Sequence, residues 1–210
     1  MGIAERKERE KQQRKEEIVN AAEKVFFSMG LENATMDDIA TEAELSKGTL
    51  YLYFKSKEDL HFEVARRAIS LLSLHTARAV EPAGNAIEKL ELMGRATIAF
   101  MQSHPKHMKA IMAIMASDAG AIEVSSGDVK GIVYGESSVG MLMNVVEEGI
   151  REKHIRDDIP SALIAHTLWM QIISVIQFVS SEGPLLEMLD LTPDKVLEGH
   201  FQLVFNGITS

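Results

Sequence analysis

The sequence predicts an all-α protein, on three observations. Apolar residues recur at three- and four-residue spacing along most of the 210 positions. β-Branched residues follow that spacing rather than an alternating one, and Ser, Thr and Pro stand where helix starts are needed. About nine helices follow, divided between an N-terminal three-helix domain over residues 1–60 and a helical bundle over residues 61–210.

The first helix begins in a charged run and becomes amphipathic at Ile18, Ala22, Val25, Phe26 and Met29, one apolar stripe. Gly30 suits its C-terminal cap. Thr35 suits an N-cap, with Asp38 three positions on to complete a capping box. The short helix it opens, Met36 to about Ala43, buries Met36, Ile39, Ala40 and Ala43. Ser46 caps a second short helix, Lys47 to about Tyr53. Ser56 and Asp59 mark the start of a long one, which runs from Lys57 towards Glu81 and cannot pass Pro82. Further helices are expected at about 84–103, 105–117, 130–154, 160–181 and 193–207. Pro105, Pro160 and Pro193 stand at three of their starts, and Gly207 ends the last. The Gly-, Ser- and Asp-rich stretch from Asp118 to Gly131 reads as a loop.

Composition excludes several kinds of chemistry. The chain has no cysteine, which removes disulfides, thiolate nucleophiles, thiol redox switches and Cys-ligated zinc. It has no Gly-rich phosphate loop, nucleophile elbow or HExxH. His104 and His107, at i and i+3, lack a third ligand at metal spacing. No enzyme activity, cofactor or metal is therefore expected. The longest apolar stretch, Ala162 to Val179, is interrupted by His166, Gln171 and Gln177, and the charged N-terminus carries no signal-like apolar region, so a cytoplasmic protein is expected.

The net charge of -9 argues against a protein that coats polyanions by bulk attraction. Locally the balance reverses. Residues 1–15 hold six basic side chains against three acidic ones, and Ser46 to Lys57 holds three lysines and no acid. Together they define a small positive footprint on an acidic body, which suits a site-specific nucleic-acid binder.

Two short helices joined by a tight turn, the second opening Ser-Lys-Gly-Thr, form the pattern of a helix-turn-helix. Ile39, Ala40, Leu45 and Leu50 are spaced to seal its inner side. Gly48 costs up to ~1 kcal/mol of helix propensity, and a purely structural role does not repay that; without a side chain there, backbone can approach DNA closely. Lys47, Thr49 and Tyr51 project near the helix N-terminus, where base edges are met. Thr35, Ser46, Tyr53 and Lys57 sit at helix ends or on the flank, which suits phosphate oxygens.

The run Ile18-Val19-Asn20-Ala21-Ala22, then Phe26, Gly30, Thr35, Ile39-Ala40, Ala43, Leu45-Ser46-Lys47-Gly48-Thr49-Leu50-Tyr51, Phe54, Ser56-Lys57-Glu58 and Leu60 resembles the N-terminal signature of the TetR family of transcriptional regulators. It departs at Glu44, where a glycine is common in the turn, and at Tyr53, where histidine is frequent. The resemblance implies a DNA-binding head followed by a bundle whose last two helices pair across a twofold axis. Leu168, Ile172, Val175, Ile176 and Val179, with Phe201, Val204 and Phe205, are the residues it assigns to that homodimer interface. Met93, Phe100, Met101, Met112, Met115, Tyr134, His166, Trp169 and Met170 are candidates to line a ligand site, because methionine-rich walls adapt to apolar molecules. The expectation is a ligand-responsive regulator of double-stranded operator DNA, a repressor released from a palindromic site by a small apolar effector, or alternatively an activator of the same fold.

Overall fold

The computed structural model describes residues 2–116, 137–181 and 183–209, with the side chains of residues 115 and 116 outside that description. Its described helices are α1 (Ile3–Met29), α2 (Met36–Glu42), α3 (Lys47–Tyr53), α4 (Lys57–Val80), α5 (Ala86–Ser103), α6 (Pro105–Ala116), α7 (Ser138–Arg151), α8 (Ser161–Ser181), α9 (Gly183–Met188) and α10 (Pro193–Ile208). The expected helices stand close to their expected limits except the one expected at about 130–154, which is capped by Ser137, starts only at Ser138 and ends at Arg151; α9 is additional. The whole stretch from Asp118 to Gly131, and Tyr134, lie outside the described residues.

Local chemistry sets the helix starts. Thr35 accepts from the Asp38 N–H while the Asp38 carboxylate accepts from the Thr35 N–H at 2.9 Å and from its hydroxyl at 2.6 Å, the reciprocal capping expected. These bonds hold the Asp38 carboxyl below the usual carboxylate range. Ser46, Ser56, Asn85, Ser137 and Thr192 each accept from the backbone three positions on. Gly30 closes α1 at φ 81°, in the region glycine occupies without steric penalty.

By packing, the chain forms two units. One holds α1, α2, α3, the first part of α4 and α6; the other holds the remainder of α4, α5 and α7 to α10. Thus the segment just beyond residue 60, and α6, belong by contact with the N-terminal helices. In the first unit Ile18, Ala22, Ile39, Leu50 and Leu60 are fully buried, and the three N-terminal helices close on this one core.

A charged cluster in the same unit binds α1 to α4. Glu63 is buried and accepts from Lys15 at 3.1 Å and Arg66 at 2.7 Å. Lys15 also lies over the Phe54 ring, so this residue of the basic head serves the fold. Burial pushes the Glu63 carboxyl up, but the bonds from Arg66 and Lys15 outweigh it and hold the pKa below its ordinary value. A lowered folded pKa gives stability that is present above the unfolded value of about 4.3 and is lost as pH falls through the folded one. Urea unfolding should show Glu63→Gln less stable than wild type by roughly 1–2 kcal/mol at pH 7, with the gap closing towards pH 3. A gap that widens in acid contradicts this account.

In the second unit α8 packs on α7 and α10, and α5 packs on α7. Two glycines permit the close approach: a Cβ on Gly94 would lie 2.6 Å from the Phe201 ring, and one on Gly149 2.5 Å from Ile155. The α5 and α7 surfaces are joined by Lys89 and Glu148 at 2.6 Å. Against the sequence expectation, α8 is long and apolar enough to cross a membrane by length and composition alone. Its Ile164, Ala165, Trp169, Ile172 and Ile176 are buried within the unit.

Candidate DNA interface and effector cavity

The α2–α3 turn is held by Glu44 N–H donating to Thr41 and Leu45 N–H donating to Ala40. Glu44 adopts φ 55°, the left-handed region in which glycine is unpenalised. That is the physical reason a glycine suits this position. Glu44→Gly relieves a steric cost of roughly 1 kcal/mol and adds a smaller entropic one. The expected result is equal or higher stability, by up to about 1 kcal/mol in urea unfolding; destabilisation contradicts it.

On α3, Leu50 is fully buried and fixes the phase of the helix. At about 100° per residue, Gly48 and Leu52 lie about 160° and 200° from Leu50, at the centre of the outward face, with Thr49 and Tyr51 on either side. Leu52 is 82% exposed and Tyr51 44% exposed. Lys47 and Gly48 are exposed and Thr49 is half-buried. The Thr49 hydroxyl shares a 2.8 Å hydrogen bond with that of Ser46. Beside Gly48 a Cβ would meet only Ser46 Oγ, at 3.9 Å, so nothing in the fold requires glycine there. Leu52 was missed by the reading of residue types, although the phase of Leu50 points it outward.

The charged members of the group are partly engaged. Lys47 pairs with Asp37 at 2.8 Å, and this hydrogen bond raises its pKa above the ordinary lysine value. The pair is exposed and exchangeable for another anion at little cost. Lys57 is half-buried and donates to the carbonyls of Leu31, at 2.9 Å, and Glu32, at 3.4 Å. It therefore ties α4 to the segment after α1, and one of its three N–H groups remains for a phosphate. Thr35 is exposed beside Asp38, and Tyr53 is half-buried.

Within the second unit lies a cavity of about 50 Å³, lined by side chains of α4, α5, α7, α8 and α10. Of the residues expected to line a ligand site, Met93 and Trp169 border this cavity. The others are placed elsewhere. Phe100 is fully buried and stacked on His104, at 4.8 Å. Met101 packs against the cluster of Ile172, Ile176 and Phe201. Met112 belongs to α6 in the first unit. His166 and Met170 face an open apolar groove between α8 and α10. The Met115 side chain and Tyr134 lie outside the described residues. Thr76, Thr97, Ser138 and His200 line the cavity without having been singled out for it.

The residues expected at a dimer interface also divide. Ile172, Ile176 and Phe201 are buried core of the chain itself, which removes them from any surface. Ile172, Phe201 and Phe205 line the cavity, Leu168 and Val204 border both cavity and groove, and Val175 lines the groove. Val179 is half-buried on α8. The groove is flanked by Leu163, 57% exposed, Met170, 55%, and Leu203, 77%. These large apolar side chains border one groove and are exposed, and none of the three is among the residues assigned above to a dimer interface.

An exposed recognition helix on a sealed three-helix head defines a helix-turn-helix DNA-binding protein. The family model described as bacterial regulatory proteins, tetR family, matches residues 18–64. The chain is 26% identical over 206 residues to the HTH-type transcriptional repressor KstR2 of Mycolicibacterium smegmatis, covering 93% of this chain and 91% of that one. Its fold is similar to a crystal structure from Shewanella sp. PV-4 ascribed to a tetR family transcription regulator, with TM-score 0.72, 18% identity and coverage of 94% and 98%. It is also similar to AibR, solved in complex with isovaleryl coenzyme A and operator DNA, with TM-score 0.63, 18% identity and coverage of 91% and 98%. Residues 18–64 thus match the N-terminal domain of the tetR family, and the chain as a whole is similar in sequence and fold to TetR family transcriptional regulators.

Proposed function

We propose that the protein represses transcription as a homodimer, gripping an inverted-repeat operator through residues 1–60 and releasing it when residues 61–210 bind a small apolar effector. The observation that carries this reading is the outward face of α3, where Gly48 is open and Leu52 and Tyr51 stand in solvent. Leu52 and the Thr49 methyl suit thymine methyl groups, and Tyr51 and Lys47 suit base edges or phosphates. Ser46, Thr35, Tyr53 and Lys57 supply the flanking phosphate contacts. A repressor among the relatives, KstR2, supports repression, and AibR, a protein of like fold solved with both isovaleryl coenzyme A and operator DNA, supports a fold that holds a small molecule as well as an operator.

Dimerisation uses the groove of α8 and α10. Leu163, Met170 and Leu203 gain burial there only from a second copy, and two heads related by a dyad combine their binding energies on one site. Leu168, His200 and Val204 border both this groove and the cavity, so a molecule entering the cavity presses on helices whose other faces meet the partner. The test is a gel shift on an operator selected from random-sequence DNA. Saturable retardation by the dimer, lost in high salt, is expected; no selection of any sequence at low salt refutes it.

A further inference from the structure

We propose that the cavity accepts an uncharged, largely apolar molecule whose acceptor oxygen receives a hydrogen bond from the indole N–H of Trp169. This rests on the effector-binding reading above and specifies its chemistry. The buried hydroxyl groups of the wall can be accounted for one at a time. Thr76 Oγ1 donates to the Leu72 carbonyl at 2.9 Å and lies 3.4 Å from Ser138 Oγ. Thr97 Oγ1 donates to the Met93 carbonyl at 2.9 Å. Trp169 is 5% exposed, and its Nε1 is the buried side-chain nitrogen or oxygen left without a partner among the described residues. A donor buried in an apolar wall without an acceptor is costly, and such groups mark places where a bound molecule completes the bonding.

The same wall argues against a charged ligand. It contains no Lys or Arg, and burial lowers the pKa of His200, so this imidazole is neutral at physiological pH. A carboxylate taken into that wall would be desolvated without a cation to pair with. The cavity, at about 50 Å³, seats a carbonyl group and its nearest carbons. A longer chain needs Met93 to yield, and methionine is an adaptable side chain.

Trp169 is the only tryptophan in the chain, so its fluorescence reports the site directly. Titration with 2-hexanone, n-hexane and hexanoate at pH 7.5 tests the proposal. The ketone should move the Trp169 emission saturably, with half-saturation at least tenfold below that of the alkane and of the carboxylate. Equal binding of ketone and alkane, tighter binding of hexanoate, or no response to any of the three overturns it. In Trp169→Phe, followed by ligand-induced shifts of the melting temperature, the preference for ketone over alkane should fall below about twofold; a preference that survives also overturns it. The comparison on the unaltered protein stands if that variant folds poorly. Operator retardation without ligand separates the two levels: a protein that retards DNA yet shows no ketone preference loses this inference alone, whereas one that fails to retard DNA loses the regulator reading.

Discussion

Replacing Gly48 by alanine is expected to strengthen the fold and weaken operator binding. The two effects have separate physical sources. A Cβ at this position meets no atom closer than Ser46 Oγ at 3.9 Å, so alanine fits the free protein, and its better helix propensity stabilises by about 0.5–1 kcal/mol. On DNA the same methyl group stands at the centre of the outward face of α3, where backbone must approach the groove. Keeping the helix one methyl further out forfeits at least one base contact, about 1–3 kcal/mol, or roughly tenfold to a hundredfold in affinity. Paired measurements of the urea midpoint and of operator affinity check this. A variant that is more stable and binds as tightly as wild type removes Gly48 from the interface; one that is less stable makes the glycine a structural requirement.

The second large effect is expected from Leu203→Asp. Leu203 is 77% exposed on α10, so the substitution removes no core contact of the single chain, and the melting curve at low protein concentration should change little. In the proposed dimer the same side chain is enclosed with Leu163 and Met170 of the groove, and a carboxylate placed there is desolvated without a partner. Sedimentation should report a monomer at micromolar concentration. Operator affinity should fall by at least about a hundredfold, because two heads no longer share one binding event. A Leu203→Asp protein that still sediments as a dimer places the interface elsewhere.

The parts of the fold legible in the sequence are those decided by neighbours in the chain. The Thr35–Asp38 reciprocal cap, the Ser46 and Ser56 caps and the Gly30 stop are local chemistry, and they set the limits of α1 to α4. Helix α9 escaped notice because Gly183 and Pro184 at its start read as a loop, and six residues are too few for a periodic signal. Distant packing was not legible. Thr76 and Ser138 meet across 62 positions, and no spacing rule joins them.

Helix α8 illustrates the same limit on one element. It is apolar on almost every side, so its sequence announces that both an internal core and a partner are needed without saying which residue serves which. The structure sends Ile172 and Ile176 inward and Leu163 and Met170 outward, an assignment fixed by the approach of α7 and α10. Leu52 is the opposite case. Its outward position follows from the phase of Leu50 alone, but an apolar residue type suggested the core.

In the proposed complex the outward face of α3 enters the major groove of a twofold operator. Methylation interference on an operator selected from random-sequence DNA tests it directly, because guanine N7 lies in that groove. The expected pattern is two interfering clusters about one helical turn apart, roughly 10 base pairs centre to centre, with Gly48→Ala weakening both halves alike. Interference confined to the minor-groove positions of adenine, or a single cluster bound with full affinity, contradicts the claim.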